Sequence, residues 1–99
     1  MTRILVTGAG GQLGRAIVAA LAPRDVVAAD HASLDVGDRD AVLGAITSLR
    51  PDVIVHTACW TDVDACEGDP DLAFRVNALG TRHVTDGARR VGAHVVYLS

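Results

Sequence analysis

The segment TGAGGQLG, residues 7–14, has four glycines in eight positions and decides how the chain begins to fold. It follows the short apolar run RILVT, residues 3–7, which predicts a buried strand. Apolar residues then recur with the 3.6-residue period of a one-sided helix. They are Leu13, Ala16, Ile17, Ala20 and Leu21. Most helices begin with a Ser, Thr, Asp or Asn that caps the first amides. None stands here, so we expect an external anion to bind the open amides.

The spacing of the glycines predicts a role for each of them. Gly8 is expected to turn the chain off the strand, Gly11 to let a ligand approach the backbone, and Gly14 to let the helix pack tightly on the sheet. The spacing is Gly-x-x-Gly-x-x-Gly, and the absence of Lys excludes a Walker-type phosphate loop. The amides near Gly11, Gln12 and Leu13 are therefore predicted to bind the pyrophosphate of a dinucleotide.

Further along the chain, apolar runs alternate with helical patterns. The predicted strands are residues 25–30, 52–58 and 93–99, and the predicted helices begin after Asp38 and at Pro70 and end near Arg50 and Val91. Apolar runs without polar alternation are typical of strands buried on both faces, and strands separated by helices are typical of parallel sheets. The sequence predicts an α/β fold over residues 1–99. This is a Rossmann-type parallel sheet with helices on both faces, the N-terminal part of an NAD(P)-binding domain.

Acidic residues after the second predicted strand extend this hypothesis. Asp30 lies 22 residues after Gly8, where an acid can accept both ribose hydroxyls of an adenosine and repel a 2′-phosphate. No Arg follows it, so NADH is favoured over NADPH as the cofactor. Asp35 is predicted to face the adenine amino group, with Val36 packed on the ring. A turn acid would explain Asp35 equally well.

Composition excludes several classes of protein. The chain has 99 residues and a net charge of −3, which fits a single domain without the basic stripe of a nucleic-acid binder. It has no apolar stretch long enough to span a membrane and no signal-peptide pattern, so a cytoplasmic location is expected. Cys59 and Cys66 are seven apart and the four His show no ligand spacing, so no metal site is predicted.

Several segments together resemble the dTDP-4-dehydrorhamnose reductase branch of the extended short-chain dehydrogenase/reductases. They are the glycine loop with its GQLG ending, RPDVIVHTA, TDVDACEGDPDLAFRVNALGTRHV and HVVYLS. The resemblance covers nearly the whole chain. It implies reduction of a dTDP-4-keto-6-deoxysugar with NADH or NADPH to give dTDP-L-rhamnose. It also implies a nucleotide-sugar substrate and is compatible with a homodimer.

The resemblance also implies positions for individual residues. Ala58 and Cys59 would line the nicotinamide side of the cofactor. Relatives usually have Asn-Ala-Ala where this chain has His56-Thr57-Ala58, which leaves the side-chain contacts at 56 and 57 open. Asn77 matches an Asn that members carry near the active site on the long helix. A structural hydrogen bond would explain Asn77 too, since its helix face is otherwise small or apolar.

The residues for proton transfer are missing from this sequence. Members of the family use a Tyr whose pKa is lowered by a Lys four positions later. Here there is no Lys, and the single Tyr97 lies in the last predicted strand. We therefore predict no catalytic residue, and we expect an amino-terminal fragment that is inactive alone. The alternatives are a non-catalytic NAD(P)-binding regulator resembling the methionine adenosyltransferase β subunit, or a sugar-nucleotide epimerase or dehydratase.

Overall fold

The structure, a computed structural model, describes residues 2–30, 32–57 and 70–98, with side chains from Asn77 onward in the last of these segments. Strands and helices alternate in the predicted order. The elements are β1 (Arg3–Thr7), α1 (Gln12–Leu21), β2 (Asp25–Ala29), α2 (Arg39–Leu49), β3 (Val53–His56), α3 (Pro70–Val91) and β4 (His94–Tyr97). In these three segments, no helix is both long and apolar enough to cross a lipid bilayer.

The four strands form one parallel sheet in the order β2-β1-β3-β4. In the centre of the sheet, Val6 lies opposite Ala28 on one side and Val55 on the other. The chain leaves β1 towards β2 and then returns past β1 to β3, so the direction of winding reverses between β1 and β3. Sheets of this kind bind ligands at the carboxyl ends of the strands beside that reversal. The Rossmann-type α/β prediction is confirmed.

The two faces of the sheet carry separate hydrophobic clusters, because successive side chains of a strand point to opposite faces. Leu5 of β1 faces α2 and α3, whereas Ile4 and Val6 face α1. The first cluster consists of Leu5, Ala29, Leu34, Val36, Val42, Ile46, Ile54, Val84 and Ala88. The second consists of Ile4, Val6, Ala9 and Val55, with Ile17, Val18 and Leu21 of α1 packed against it. Helices therefore cover both faces, as predicted.

Two glycines bring α3 close to its neighbours. A Cβ atom at Gly80 would lie 2.8 Å from Cγ2 of Val36, and one at Gly87 would lie 2.6 Å from Cδ1 of Ile46. Both distances are shorter than carbon atoms can approach without a shift. The absence of side chains at these positions therefore sets how closely α3 packs on the first cluster.

Strand β4 is partly exposed, although its apolar sequence is typical of a strand with neighbours on both sides. Val96 is 37% exposed and Tyr97 is 48% exposed, whereas Ile54 in the neighbouring β3 is fully buried. The physical reason is its place in the sheet: within the described segments, β4 pairs only with β3 and forms an edge.

The ends of α2 follow the sequence signals. The backbone N–H of Ala41 donates to Oδ1 of Asp38 at 3.2 Å, which is the predicted cap. At the other end Arg50 adopts a left-handed conformation, and its N–H donates to the carbonyl of Ile46 at 2.8 Å. These ends fix the length of the helix that packs beside α3.

Candidate functional site

The glycine turn leaves β1 at the carboxyl edge of the sheet and passes directly over the end of β3. Gly8 has a φ of +66°, and a Cβ atom there would lie 2.7 Å from the carbonyl oxygen of Thr57. Only glycine fits both the left-handed conformation and this close backbone contact. The predicted turn at Gly8 is therefore present, and its partner is the first residue after β3.

Gly14 has no room for a side chain. It is buried in the first turn of α1, and a Cβ atom there would collide with the carbonyl oxygen of Gly8 and lie 2.8 Å from Cα of Ala9. The sequence predicts that Gly14 lets α1 pack tightly on the sheet. Its nearest neighbours are backbone atoms of Gly8 and Ala9, the two residues that directly follow β1.

The start of α1 is open. Gly11 is the N-cap in an extended conformation, with φ −77° and ψ 169°, and no side chain caps the helix there. Gln12 and Leu13 are exposed, and the first turn contains no acidic residue. The first amides of a helix lack intrahelical acceptors and carry a partial positive charge. The backbone here thus has both the room and the polarity to accept an anion.

Asp30 lies beside this turn, at the end of β2. The N–H of Ala9 donates to the carbonyl of Ala29 at 3.0 Å, which ties the glycine turn to β2. A Cβ atom at Gly10 would lie 3.2 Å from Cβ of Asp30. The structure therefore brings together the glycine turn and the acid that the sequence places 22 residues later.

The carboxylate of Asp30 is held by Ser33. The backbone N–H of Ser33 donates to Oδ1 of Asp30 at 2.8 Å, and the N–H of Asp30 donates to Oγ of Ser33 at 3.0 Å. Hydrogen bonds from the backbone amide and then the hydroxyl of Ser33 keep the pKa of Asp30 below its ordinary value. Asp30 is exposed, so a fixed negative charge stands at the rim of the crevice.

Asp35 and Val36 are neighbours in the sequence, but the first is exposed and the second is buried. Asp35 is exposed, and its Oδ1 accepts from the N–H of Gly37 at 2.9 Å, the geometry of a turn acid. Val36 is only 5% exposed and packs against Gly80 in the first hydrophobic cluster. The predicted packing of Val36 on an adenine ring stays a prediction. Its side chain points into the core because α3 approaches closely enough at Gly80 to cover it.

The ends of β1 and β3 carry a buried polar cluster that the sequence analysis missed. The hydroxyl of Thr7 lies 2.7 Å from Nδ1 of His56 and accepts from the N–H of Thr57 at 3.2 Å. The hydroxyl of Thr57 donates to the carbonyl of Thr7 at 2.5 Å. Thr7 and His56 are each 1% exposed. The sequence did contain a signal for this cluster, because two apolar strands each end in a polar residue. The carboxyl ends of parallel strands meet at the same edge of a sheet, so such residues can contact each other.

His56 is neutral in this environment. Burial lowers the pKa of its imidazole from 6.5 to about 4, because desolvation disfavours the charged ring. Nε2 lies 3.4 Å from the hydroxyl of Thr81, and the ring of Tyr97 lies 5.6 Å away between centroids. In the part of the chain that the structure describes, no group of three or more His, Cys, Asp or Glu could hold a metal ion.

Asn77 lies on α3, which runs from the carboxyl edge of the sheet back towards the start of β4. It is half-buried, and its backbone carbonyl accepts from the hydroxyl of Thr81 at 3.0 Å. Asn77 thus lies one helical turn before Thr81, the residue that contacts His56, and towards the glycine turn. Ala58 and Cys59, predicted beside the nicotinamide, lie outside the described residues.

Comparison with known proteins is consistent with this geometry. The sequence matches a family described as RmlD substrate binding domain over residues 1–99. The chain belongs to this family. RmlD-family relatives include dTDP-4-dehydrorhamnose reductases from Streptomyces griseus, 44% identical over 99 residues, and Aggregatibacter actinomycetemcomitans, 36% identical over 102 residues. These alignments cover 98% and 100% of this chain but 33% and 35% of the relatives. The chain therefore spans about a third of their length.

A solved RmlD-family structure has the same arrangement of elements. It is dTDP-4-dehydrorhamnose reductase from Bacillus anthracis in complex with NADP. Its TM-score against this chain is 0.90 with 38% identity, and the match covers 99% of this chain and 36% of that protein. This chain thus matches about a third of that enzyme.

Proposed function

We propose that this chain is the nicotinamide-dinucleotide-binding part of a dTDP-4-dehydrorhamnose reductase. The observation that carries the proposal is the open start of α1 beside the left-handed turn at Gly8. Both lie where the winding of the sheet reverses. That place in a parallel α/β sheet combines free amides, the helix dipole and space for a ligand. The solved relative bound to NADP supports the same ligand class.

The pyrophosphate is assigned to the amides that begin α1. Gly11, Gln12 and Leu13 offer exposed backbone at this point, and no carboxylate in the first turn competes with a phosphate. A Cβ atom at Gly11 would contact only the carbonyl of Gly8, at 3.5 Å. The side of Gly11 that lacks a side chain is therefore available to the ligand. Gly14 supports the site indirectly by allowing α1 to sit against the turn.

The adenosine is assigned to the end of β2. Asp30 presents an ionised carboxylate whose Oδ1 is oriented by Ser33. Such a group accepts hydrogen bonds from the two ribose hydroxyls and repels a 2′-phosphate. We therefore propose NADH as the preferred cofactor, although the B. anthracis relative is described with NADP. Asp35 stands further along the same edge and remains the candidate partner for the adenine amino group.

The nicotinamide end is assigned to the segment after β3. A bound nicotinamide dinucleotide supplies the hydride for reduction of a carbonyl group. Thr57, which is held against Gly8 and Thr7, fixes the backbone from which Ala58 and Cys59 follow. Asn77 flanks the same edge from α3. These residues of the chain bind and orient, and none of them is assigned to proton transfer.

The reductase activity itself is proposed for the complete protein that contains this chain. The relatives named dTDP-4-dehydrorhamnose reductase are about three times as long as the aligned region. The proposed substrate is accordingly a dTDP-4-keto-6-deoxysugar. Oxidation of NADH or NADPH by the complete protein should depend on that nucleotide sugar. If no such sugar supports cofactor oxidation, the reductase assignment is wrong.

The cofactor site can be tested separately with a substitution that affects stability and binding in opposite directions. Gly11→Asp would place a capping carboxylate on the first amides of α1, which stabilises helices and occupies the anion position. We expect an unchanged or higher Tm together with loss of NADH and NADPH binding in a fluorescence titration. Gly44→Asp is the matched control, because Gly44 is exposed in α2 with open space around it. Retained binding in Gly11→Asp would contradict the assignment.

A further inference from the structure

A line of hydrogen bonds crosses the carboxyl edge of the sheet from β1 through β3 to α3. It begins at the N–H of Thr57, which donates to Oγ1 of Thr7 at 3.2 Å. Oγ1 of Thr7 lies 2.7 Å from Nδ1 of His56. Nε2 of His56 lies 3.4 Å from Oγ1 of Thr81, whose hydroxyl donates to the carbonyl of Asn77 at 3.0 Å. Three elements around the crevice are thus joined through one imidazole ring.

The partners at both ends of the line favour one direction for the hydrogen bonds between them. Oγ1 of Thr7 accepts the amide hydrogen of Thr57, so its own hydrogen is available for Nδ1 of His56. The hydroxyl hydrogen of Thr81 is used on the carbonyl of Asn77, so its oxygen accepts from Nε2. A neutral imidazole with the hydrogen on Nε2 satisfies both contacts, whereas in the opposite tautomer Nε2 would face the oxygen of Thr81 with no hydrogen between them.

We propose that His56, as the Nε2–H tautomer, is a positioning residue that holds the glycine turn and α3 at a fixed distance across the dinucleotide crevice. On the turn side it acts through Thr7, the residue immediately before Gly8. On the helix side it acts through Thr81 and the backbone of Asn77. The reference to a dinucleotide rests on the proposed function, whereas the tautomer and the coupling between β1 and α3 do not.

The ring is suited to this role because it spans a gap that a shorter side chain does not. Thr7 and Thr81 contact opposite nitrogens of the ring. An Asn at position 56 would place its carboxamide near the position of Nδ1, within reach of Thr7 but not of Thr81. His56→Asn therefore keeps the contact with Thr7 and removes the contact with Thr81.

The tautomer is tested by nuclear magnetic resonance on the complete protein with isotope-labelled histidine. Long-range proton–nitrogen correlations distinguish the two neutral tautomers and the imidazolium. The expected pattern for His56 at neutral pH is a protonated Nε2 and an unprotonated Nδ1. A protonated Nδ1 overturns the proposal. This measurement requires no cofactor, so it remains decisive even if the proposed function fails.

The positioning role is tested with two equivalent substitutions on α3. Thr81→Val removes the hydroxyl that meets His56, and Thr85→Val removes a hydroxyl that only donates to the carbonyl of Thr81, at 2.8 Å. We expect Thr81→Val to shift the amide resonances of Thr57 and Gly8 and to raise the Kd for the dinucleotide by roughly threefold to tenfold. Thr85→Val should leave those amide resonances and the Kd unchanged.

His56→Asn provides a second variant, and it should reproduce the effect of Thr81→Val. Equal effects of Thr81→Val and Thr85→Val would overturn the positioning role, because any loss would then be a general weakening of the helix. Unmoved amide resonances of Thr57 and Gly8 in Thr81→Val would overturn it as well. If the unmodified protein does not bind NADH or NADPH, the proposed function fails, and the resonances of His56, Thr57 and Gly8 still test the coupling.

Discussion

Thr7 and Thr57 are joined by two reciprocal hydrogen bonds at the point where β1 and β3 end. The amide of Thr57 donates to the hydroxyl of Thr7 at 3.2 Å, and the hydroxyl of Thr57 donates to the carbonyl of Thr7 at 2.5 Å. The chain therefore reaches Gly8 from a strand end that is fixed on its neighbour. A rigid platform of this kind allows the glycine turn to present its backbone amides in one orientation.

Thr7→Val is expected to destabilise the protein more than its size suggests. The substitution keeps the shape but leaves the amide of Thr57 and Nδ1 of His56 without their shared partner in a buried site. An unsatisfied buried polar group costs about 1–3 kcal/mol. Urea unfolding should show a loss of that order, while Thr85→Val, with only a helical carbonyl as partner, should lose about 1 kcal/mol or less. Equal losses would contradict the prediction.

Acidification is expected to destabilise the fold through His56. Burial lowers the pKa of the folded ring to about 4, while the unfolded chain binds a proton near the ordinary value of 6.5. The unfolded state therefore binds more protons between these values, so stability is present above about pH 6.5 and is lost as the pH falls towards 4. The full shift corresponds to about 3 kcal/mol.

The free energy of unfolding measured between pH 4 and pH 6.5 should therefore fall as the pH falls, and His56→Asn should reduce this dependence on pH. An identical slope in both proteins would exclude His56 as the cause.

Asp30→Ala is expected to change which nicotinamide cofactor the complete protein prefers. The substitution removes a fixed negative charge beside Gly10, so NADH loses its ribose hydrogen bonds while NADPH escapes repulsion. Hydrogen bonds to a charged group contribute about 1.5–3 kcal/mol, which is roughly tenfold to a hundredfold in affinity for NADH. Titration with both cofactors should show the NADH-to-NADPH preference falling.

Asp40→Ala is the control, because the Asp40 side chain is 97% exposed on α2. An unchanged preference in Asp30→Ala would remove Asp30 from the site.

The same substitution at two helical glycines should have opposite effects on stability. At Gly80 an added Cβ would press on Cγ2 and Cβ of Val36, a stiff and buried side chain. Gly80→Ala should therefore lower the free energy of unfolding by about 1–3 kcal/mol. At Gly44 there is open space, so Gly44→Ala should raise it by up to about 1 kcal/mol through helix propensity. A stabilising effect of Gly80→Ala would show that α3 packs less closely than described.

Local signals in the sequence were enough to predict the fold and the start of the site. The alternation of patterns gave the order of elements, and Asp38 caps α2 through a contact only three residues away. The glycine spacing predicted the turn at Gly8 and the uncapped start of α1 because these are properties of consecutive residues. The position of Asp30 beside the glycine turn was also predictable, because β1 and β2 are adjacent parallel strands.

The features that the sequence did not reveal depend on distant parts of the chain. Thr7 and His56 are 49 residues apart, and only the register of β1 and β3 shows that they meet. Val36 lies in a short loop segment whose pattern does not say which side is covered, and Gly80 decides that from 44 positions away. Each of these outcomes is a matter of tertiary neighbours.

Since α1 begins at Gly11 without a side-chain cap, its first turn is the part of the helix most prone to fray in the free protein. An occupant of those amides would complete the helix as a capping residue does elsewhere. Under the proposed function, binding of the dinucleotide and ordering of this turn then stabilise each other. A glycine at this position thus leaves the first turn of the helix uncapped until the ligand binds.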